Sequence, residues 1–283
     1  MIEYSKRGGG IMNNIKEAIA SFFEKENIEY FVTLPYTAVR ETSPEIMARE
    51  DFTPKSVILF LLPYYGGETV NISRYSAARD YHIAIKGVTD RLSLLIKEQI
   101  PEARAKGYGD HSPIDECNAA LIGGLGIIGD NGLIINEKYG SYVFIGDLVT
   151  SISPEILGAS EPQAIKGCIH CGACKAACPT GILAGKGNEC LSAITQRKGE
   201  LTEEEIGLMK KYNPAWGCDL CQSSCPYNKN PKITPISFFL EDRIEELTLE
   251  MLEKMDKAAF NQRAFAWRGR KTVQRNLTLL ENE

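Results

Sequence analysis

Eight of the nine cysteines in this 283-residue chain fall between Cys168 and Cys225, and no other feature restricts its folding so strongly. The first group reads Cys168-Ile-His-Cys171-Gly-Ala-Cys174-Lys-Ala-Ala-Cys178-Pro179. This is the C-x2-C-x2-C-x3-C-P run of bacterial ferredoxins. Two-residue gaps let one tight loop aim three thiolates at a single cubane. The three-residue gap carries the fourth thiolate away toward a neighbouring cluster, and the proline ends the loop. Zinc is the alternative occupant, although a zinc site would favour four ligands arranged in pairs. A disulfide framework is disfavoured, because the opening residues MIEYSKRGGG contain no apolar stretch of the kind a signal peptide requires.

The second group, Cys218-Asp-Leu-Cys221-Gln-Ser-Ser-Cys225-Pro226, reproduces only the last three ligands of that run. Two [4Fe–4S] clusters need eight thiolates, and the two motifs supply seven. Cys190 is the remaining cysteine of the region and is assigned as the eighth; otherwise it is an inert buried thiol. In such runs the fourth cysteine serves the other cluster. One cluster then takes Cys168, Cys171, Cys174 and Cys225. The other takes Cys178, Cys190, Cys218 and Cys221. Cys117 lies far off in sequence and reads as a core thiol.

Upstream, the pattern is that of a layered α/β or α+β domain over residues 12–155. Residues 13–27 have helical periodicity, with Ile15, Ile19, Phe22 and Phe23 on one face. IEYFVTLP reads as a strand, and VILFLLPYY (57–65) as a strand buried on both faces. Residues 78–99 form a helix with Ala84, Val88, Leu92 and Leu95 on one side, and 114–125 form another. GLIIN and SYVFIGDLVT flank Lys138-Tyr139-Gly140 as a hairpin. The boundaries expected are 1–155, 156–235 for the cysteine module and 236–283 for a helical end. Residues 1–11 read as a loose leader before a second start at Met12. The longest apolar run is half of what a bilayer helix needs, so a cytoplasmic location is expected. A net charge of −5 gives no global sign of a nucleic-acid binder.

Several further motifs occur together in order. They are Pro54-Lys55-Ser56-Val57-Ile58, Arg74-Tyr75, Arg79-Asp80-Tyr81-His82 and Asp110-His111-Ser112-Pro113. Gly124-Leu125-Gly126-Ile127-Ile128-Gly129, Gly140-Ser141 and Gly146-Asp147-Leu148 follow, ahead of the cysteine motifs. Over about residues 51–282 the chain resembles the epoxyqueuosine reductases, cobalamin-dependent iron–sulfur enzymes related to reductive dehalogenases. The resemblance implies an α+β architecture: a nitroreductase-like α/β domain holding cobalamin base-off, then a ferredoxin-like module with two [4Fe–4S] clusters. It implies deoxygenation of epoxyqueuosine in tRNA to queuosine, with electrons from an external donor such as ferredoxin or flavodoxin and no membrane partner.

By the same resemblance Asp110 is the candidate acid that protonates the leaving oxygen. A helix cap is its alternative role, one that Ser112 or Asp115 would fill equally well. Tyr81 is a second catalytic candidate, and His82, Gly124, Gly126, Gly129 and Asn131 are cobalamin-binding candidates. As alternatives, Tyr81 and His82 are packing residues of a helix start, and the glycines a helix end and turn. His82 is not an axial ligand, because Asp80-Tyr-His82 is followed by glycine only at Gly87, a wider gap than the D-x-H-x-x-G corrinoid motif allows.

Two departures keep other functions open. Relatives carry W-x-G-K-N where this chain has Ile127-Ile128-Gly129-Asp130-Asn131, which removes an anion contact. By the same resemblance the chain is also expected to be a short form without the C-terminal helical repeats of full-length relatives. An enzyme of the same architecture reducing a different small substrate is one alternative. A ferredoxin-like electron carrier that activates another corrinoid protein is the other. The basic stretch Arg263–Arg275, with Phe265 and Trp267 interleaved, reads either as an RNA contact or as a helix docking its aromatics into the core.

Overall fold

The computed structural model of the protein describes residues 8–163 and 167–281, with side chains from Ile15 onward. Residues 1–7, the first part of the expected leader, lie outside the described residues, and the first helix already begins at Gly8. The chain forms two compact units that interleave along the sequence. One comprises the residues up to Pro63, His82–Ile128 and Val143–Gly167. The other comprises Tyr64–Tyr81, Gly129–Tyr142 and the chain from Cys168 onward. Residues 64–81 and 129–142 thus leave the N-terminal half to join the cysteine-rich unit, and the segment after 235 stays in it.

The first unit is built on a four-stranded antiparallel sheet. Phe31–Pro35 pairs with Ser56–Pro63, which pairs with Val143–Thr150, which pairs with Ala105–Tyr108. All eight residues of Ser56–Pro63 are buried, as its unbroken apolar run requires. Helix Gly8–Lys25 covers the sheet through Ile15, Ile19 and Phe23, and the Phe23 ring stacks on Phe31 at 4.4 Å. Helix Tyr81–Gln99 buries Ile85, Val88, Thr89, Leu92 and Ile96. Its buried face therefore runs through Ile85 and Ile96, whereas Ala84 and Leu95 are only half-buried.

Two sequence expectations change here. Ala105–Tyr108 is a strand that its composition does not announce. The expected hairpin stops at a local turn in which Asn136 and Gly140 exchange backbone hydrogen bonds of 2.8 and 3.0 Å. Val143–Thr150 becomes a central strand instead, and its register sets Asp147 between Leu59 and Tyr108.

The second unit packs around Trp216, which is fully buried with Phe265 and Val273 and bonds through its indole N–H to the Tyr75 hydroxyl at 2.8 Å. The terminal helix Arg270–Glu281 is fixed there by Asn276, whose amide donates to the carbonyls of Thr195 and Ala215 at 2.7 and 2.9 Å.

Gly107 sits where strand Ala105–Tyr108 crosses helix Tyr81–Gln99. A Cβ on it would lie 2.2 Å from the Cβ of Thr89. Gly107→Ala is accordingly expected to destabilise the protein by roughly 1–3 kcal/mol, the usual cost of overpacking. A denaturant titration followed by circular dichroism checks this.

Candidate active site and metal centre

The cysteine centre is assembled within the second unit. Cys168, Cys171, Cys174 and Cys225 line one pocket, together with Asp130, Asn131 and Tyr227. Left-handed backbone at His170 (φ 51°) and Gly172 (φ 75°) folds the loop tightly enough to turn the first three thiols to one side. The short helices Ala173–Ala177 and Leu220–Ser223 pack together, which brings Cys225 of the second motif to the first. The other four cysteines form a second group. Burial pushes the Cys218 thiol up to about 12 and the Cys221 thiol up to about 11. Each is raised further by the nearby Cys190, and Cys221 by Cys178 as well. Six of these eight thiols are half-buried, Cys171 and Cys190 are exposed, and two groups of four soft sulfur donors are a ligand chemistry that fits iron–sulfur clusters.

Asp130 faces this pocket. Its carboxylate accepts from Lys175 Nζ at 2.7 Å and His170 Nδ1 at 2.6 Å, and lies 3.6 Å from Cys168 Sγ. Lys175 and then His170 hold its carboxyl down to about 2. The negative charge that the sequence set against anion binding is thus neutralised locally. Gly129 and Asn131 line the same pocket, and Asn131 also reaches the Cys221 thiol.

The candidate acid lies in the first unit. Asp110 follows strand Ala105–Tyr108 in left-handed backbone (φ 66°). A Cβ on Gly109 would lie 2.7 Å from Ile85 Cδ1, so the glycine lets this loop lie directly on helix Tyr81–Gln99. That approach sets Asp110 Oδ2 3.9 Å from Nε2 of His82 in the helix's first turn. Both side chains are exposed, His82 at 50% and Asp110 at 70%, so this carboxyl meets water.

Asp110 is not a helix cap. Asp115 caps helix Glu116–Ile122 by accepting from the Asn118 amide at 2.9 Å, and Arg40 pairs with it. Gly124 (φ 73°) and Gly126 follow that helix, where Gly124 abuts the Gln163 side chain. Tyr81 belongs to the second unit, half-buried, with its ring edge-on to Tyr75 at 6.4 Å.

Sequence reading missed two carboxyls beside the loop. Glu116 Oε1 accepts the backbone N–H of Asp110 at 3.1 Å. Asp147, wholly buried, accepts from the Ser112 hydroxyl at 3.2 Å. An aspartate in the middle of the apolar strand SYVFIGDLVT was the available signal, because a charge there must be buried. Glu116 had none, since an acid in the first turn of a helix is ordinary.

In the basic stretch, three arginines turn inward. Arg263 donates to the Asp242 carbonyl at 2.6 Å, Arg270 to the Met255 carbonyl at 2.7 Å and Arg275 to the Arg197 carbonyl at 2.8 Å. Phe265 is fully buried, while Trp267 is 58% exposed.

Residues 52–111 match the family model described as "Epoxyqueuosine reductase QueG, DUF1730", and residues 167–228 match the "4Fe-4S double cluster binding domain". The epoxyqueuosine reductase of Cellulophaga algicola is 32% identical over 251 residues, covering 80% of this chain and 77% of the relative. The chain belongs to the epoxyqueuosine reductase family. A Staphylococcus aureus epoxyqueuosine reductase is 32% identical over 218 residues, 73% of this chain; the match spans only 55% of that relative. A crystal structure of epoxyqueuosine reductase with an epoxyqueuosine-modified tRNA stem loop superimposes with a TM-score of 0.76. It is 23% identical and the match covers 95% of this chain and 81% of that one. This family member is therefore an oxidoreductase with an iron–sulfur domain, and its α+β fold is that of the solved epoxyqueuosine reductases. Among the described residues no helix is long and apolar enough to cross a membrane.

The capping geometry yields a stability test. Asp115→Ala is expected to lose about 1 kcal/mol or slightly more, the worth of an N-cap. Asp110→Asn should remain within about 0.5 kcal/mol of the parent, because asparagine tolerates left-handed backbone. Parallel thermal melts of the two variants check the assignment.

Proposed function

We propose that this chain deoxygenates epoxyqueuosine in tRNA to queuosine, using two [4Fe–4S] clusters and cobalamin bound base-off. The observation that carries this reading is that one chain holds both an aspartate paired with a histidine in the DUF1730 region and two groups of four thiols. The reaction consumes two electrons and two protons: both C–O bonds of the epoxide break, a C=C bond forms and the oxygen leaves as water. Electrons enter from an external carrier such as ferredoxin or flavodoxin in the cytoplasm.

The clusters are held by the crossed sets Cys168, Cys171, Cys174, Cys225 and Cys178, Cys190, Cys218, Cys221. The first set is supported by the shared pocket, the second by the mutual charge effects of its thiols. When bound, cobalamin supplies the low-valent metal that delivers electrons to the epoxide carbon. His82 lies beside Asp110, which suits a proton-handling partner. Tyr81, Gly124, Gly126, Gly129 and Asn131 remain candidate contacts for substrate or cofactor.

Asp110 delivers the proton to the departing oxygen, since an alkoxide is a poor leaving group near neutral pH. Closure over bound substrate and cofactor would remove the water that this exposed carboxyl now meets. His82, 3.9 Å away, is placed to orient it and to return a proton after each turnover.

Two measurements test this reading. Anaerobically prepared protein should hold about eight irons per chain, two cubanes by the ligand rule. Cys190→Ser should lose one cluster selectively, and full iron content with an unchanged electron paramagnetic resonance spectrum would remove Cys190 from the set. With the cobalt reduced chemically, Asp110→Asn should keep cluster and corrinoid spectra while single-turnover deoxygenation falls by roughly 10²–10⁴.

A further inference from the structure

Asp110 is an unusual place for an acid to be held: its side chain is exposed and its backbone is left-handed, a conformation uncommon outside glycine, asparagine and aspartate. Its backbone N–H donates to Glu116 Oε1 at 3.1 Å. Glu116 itself is fixed by two things. It starts helix Glu116–Ile122, whose N-cap is Asp115, and its carboxyl hydrogen-bonds that of Asp147.

Asp147 cannot move. It lies mid-strand between Leu59 and Tyr108, is fully buried, and accepts from Ser112 through Oδ2. Its Oδ1 is buried with no partner among the ordinary donors of the described residues. A buried carboxylate oxygen left bare is costly. A proton on Glu116 removes that cost, because a carboxylic acid donates where a carboxylate cannot. Resting on the reading of Asp110 as the proton donor, we infer that Glu116 is a positioning residue: as a protonated carboxyl bonded to Asp147, it clamps the Asp110 backbone and holds the acid loop in place.

The electrostatics agree. Glu116 is raised to about 9, chiefly by burial and then by Asp147, and Asp147 is raised chiefly by burial. Two adjacent buried carboxyls cannot both ionise cheaply, so the pair retains a proton at neutral pH. Other titratable groups facing the pair are Asp110 in the loop, Cys117 on the same helix, and Tyr36 and Tyr108. Burial raises the thiol and both phenols too, and E116Q retains all three, so it separates their titration from that of the pair. The sign follows: a carboxyl raised in the folded state favours the closed clamp while protonated, and that support is lost as pH rises through the raised value. Gln at 116 keeps both hydrogen bonds, its oxygen accepting from Asp110 and its amide donating to Asp147, but has no proton to lose.

The test uses the anaerobically purified full chain with its clusters in place. Hydrogen exchange at the Asp110 amide, located by fragmentation mass spectrometry, reads the clamp without any need for turnover. E116A should exchange about tenfold faster than the parent, as for an amide that has lost its acceptor, and E116Q should not. Between pH 7 and about 10, after correction for intrinsic base catalysis, the parent should lose protection while E116Q retains it. That comparison stands alone if E116A fails to fold. In single turnover E116A should lower the maximal rate constant and leave the half-saturating concentration with the modified tRNA stem loop unchanged, E116Q should recover most of the rate, and E116A placed on D110N should add nothing further. Equal exchange in parent and E116A, or a parent as insensitive to pH as E116Q, would overturn the clamp. Parent-like turnover in D110N would instead overturn the proton-donor reading beneath it.

Discussion

Four thiols can share one pocket only if distant stretches of chain are brought together and kept there, and much of the second unit serves that constraint. Helices Ala173–Ala177 and Leu220–Ser223 are too short to be stable alone, so their packing rests on what surrounds them. The support is a set of buried polar bonds reaching in from residues 64–81 and from the chain end. Arg74 is one example, with its guanidinium 3.1 Å from Asp219, the residue after Cys218, while the Tyr64 hydroxyl bonds Gln222 between Cys221 and Cys225. Segments 64–81 and 129–142 leave the N-terminal half of the sequence because the cysteine motifs need them as walls.

The same demand accounts for the basic stretch. Arg263, Arg270 and Arg275 donate to carbonyl oxygens at loop and helix ends, where a guanidinium satisfies several acceptors at once. Their charge is committed within the unit. The indole of Trp267, with the Arg268 guanidinium 3.7 Å from its centroid, remains turned to solvent. Asp130 follows the same logic. Beside the Cys168 thiol, it is flanked by Lys175 and His170, and the three groups form a local polar frame rather than a free anion.

In the first unit the controlling constraint is the reverse, a charge that cannot escape. Asp147 is carried into the sheet by a strand whose other residues demand burial, and its register is fixed by pairing on both sides. Through Ser112, Glu116 and the backbone of Asp110, that buried carboxyl organises an exposed loop. The sheet and the loop of Asp110 are thereby joined by hydrogen bonds that depend on protonation.

The sequence by itself determined the thiol ligand chemistry, since spacing in a tight loop is a local property: Cys168, Cys171 and Cys174 face one pocket because two-residue gaps and a left-handed glycine leave little choice. It likewise determined the buried strand Ser56–Pro63, whose unbroken apolar run permits no exposed face. Only the tertiary structure decided the partner of Val143–Thr150, because pairing energy depends on which strand arrives alongside and not on the nearest turn. It decided that Asp115, not Asp110, caps the helix, and that the first helix of the acid site turns Ile85 inward, since a rotation of one position along a helix is set by the surface it meets. The meeting of Glu116 with Asp147 was decided there as well: two ordinary carboxyls become a proton-holding pair only when folding withdraws both from water and places them against each other.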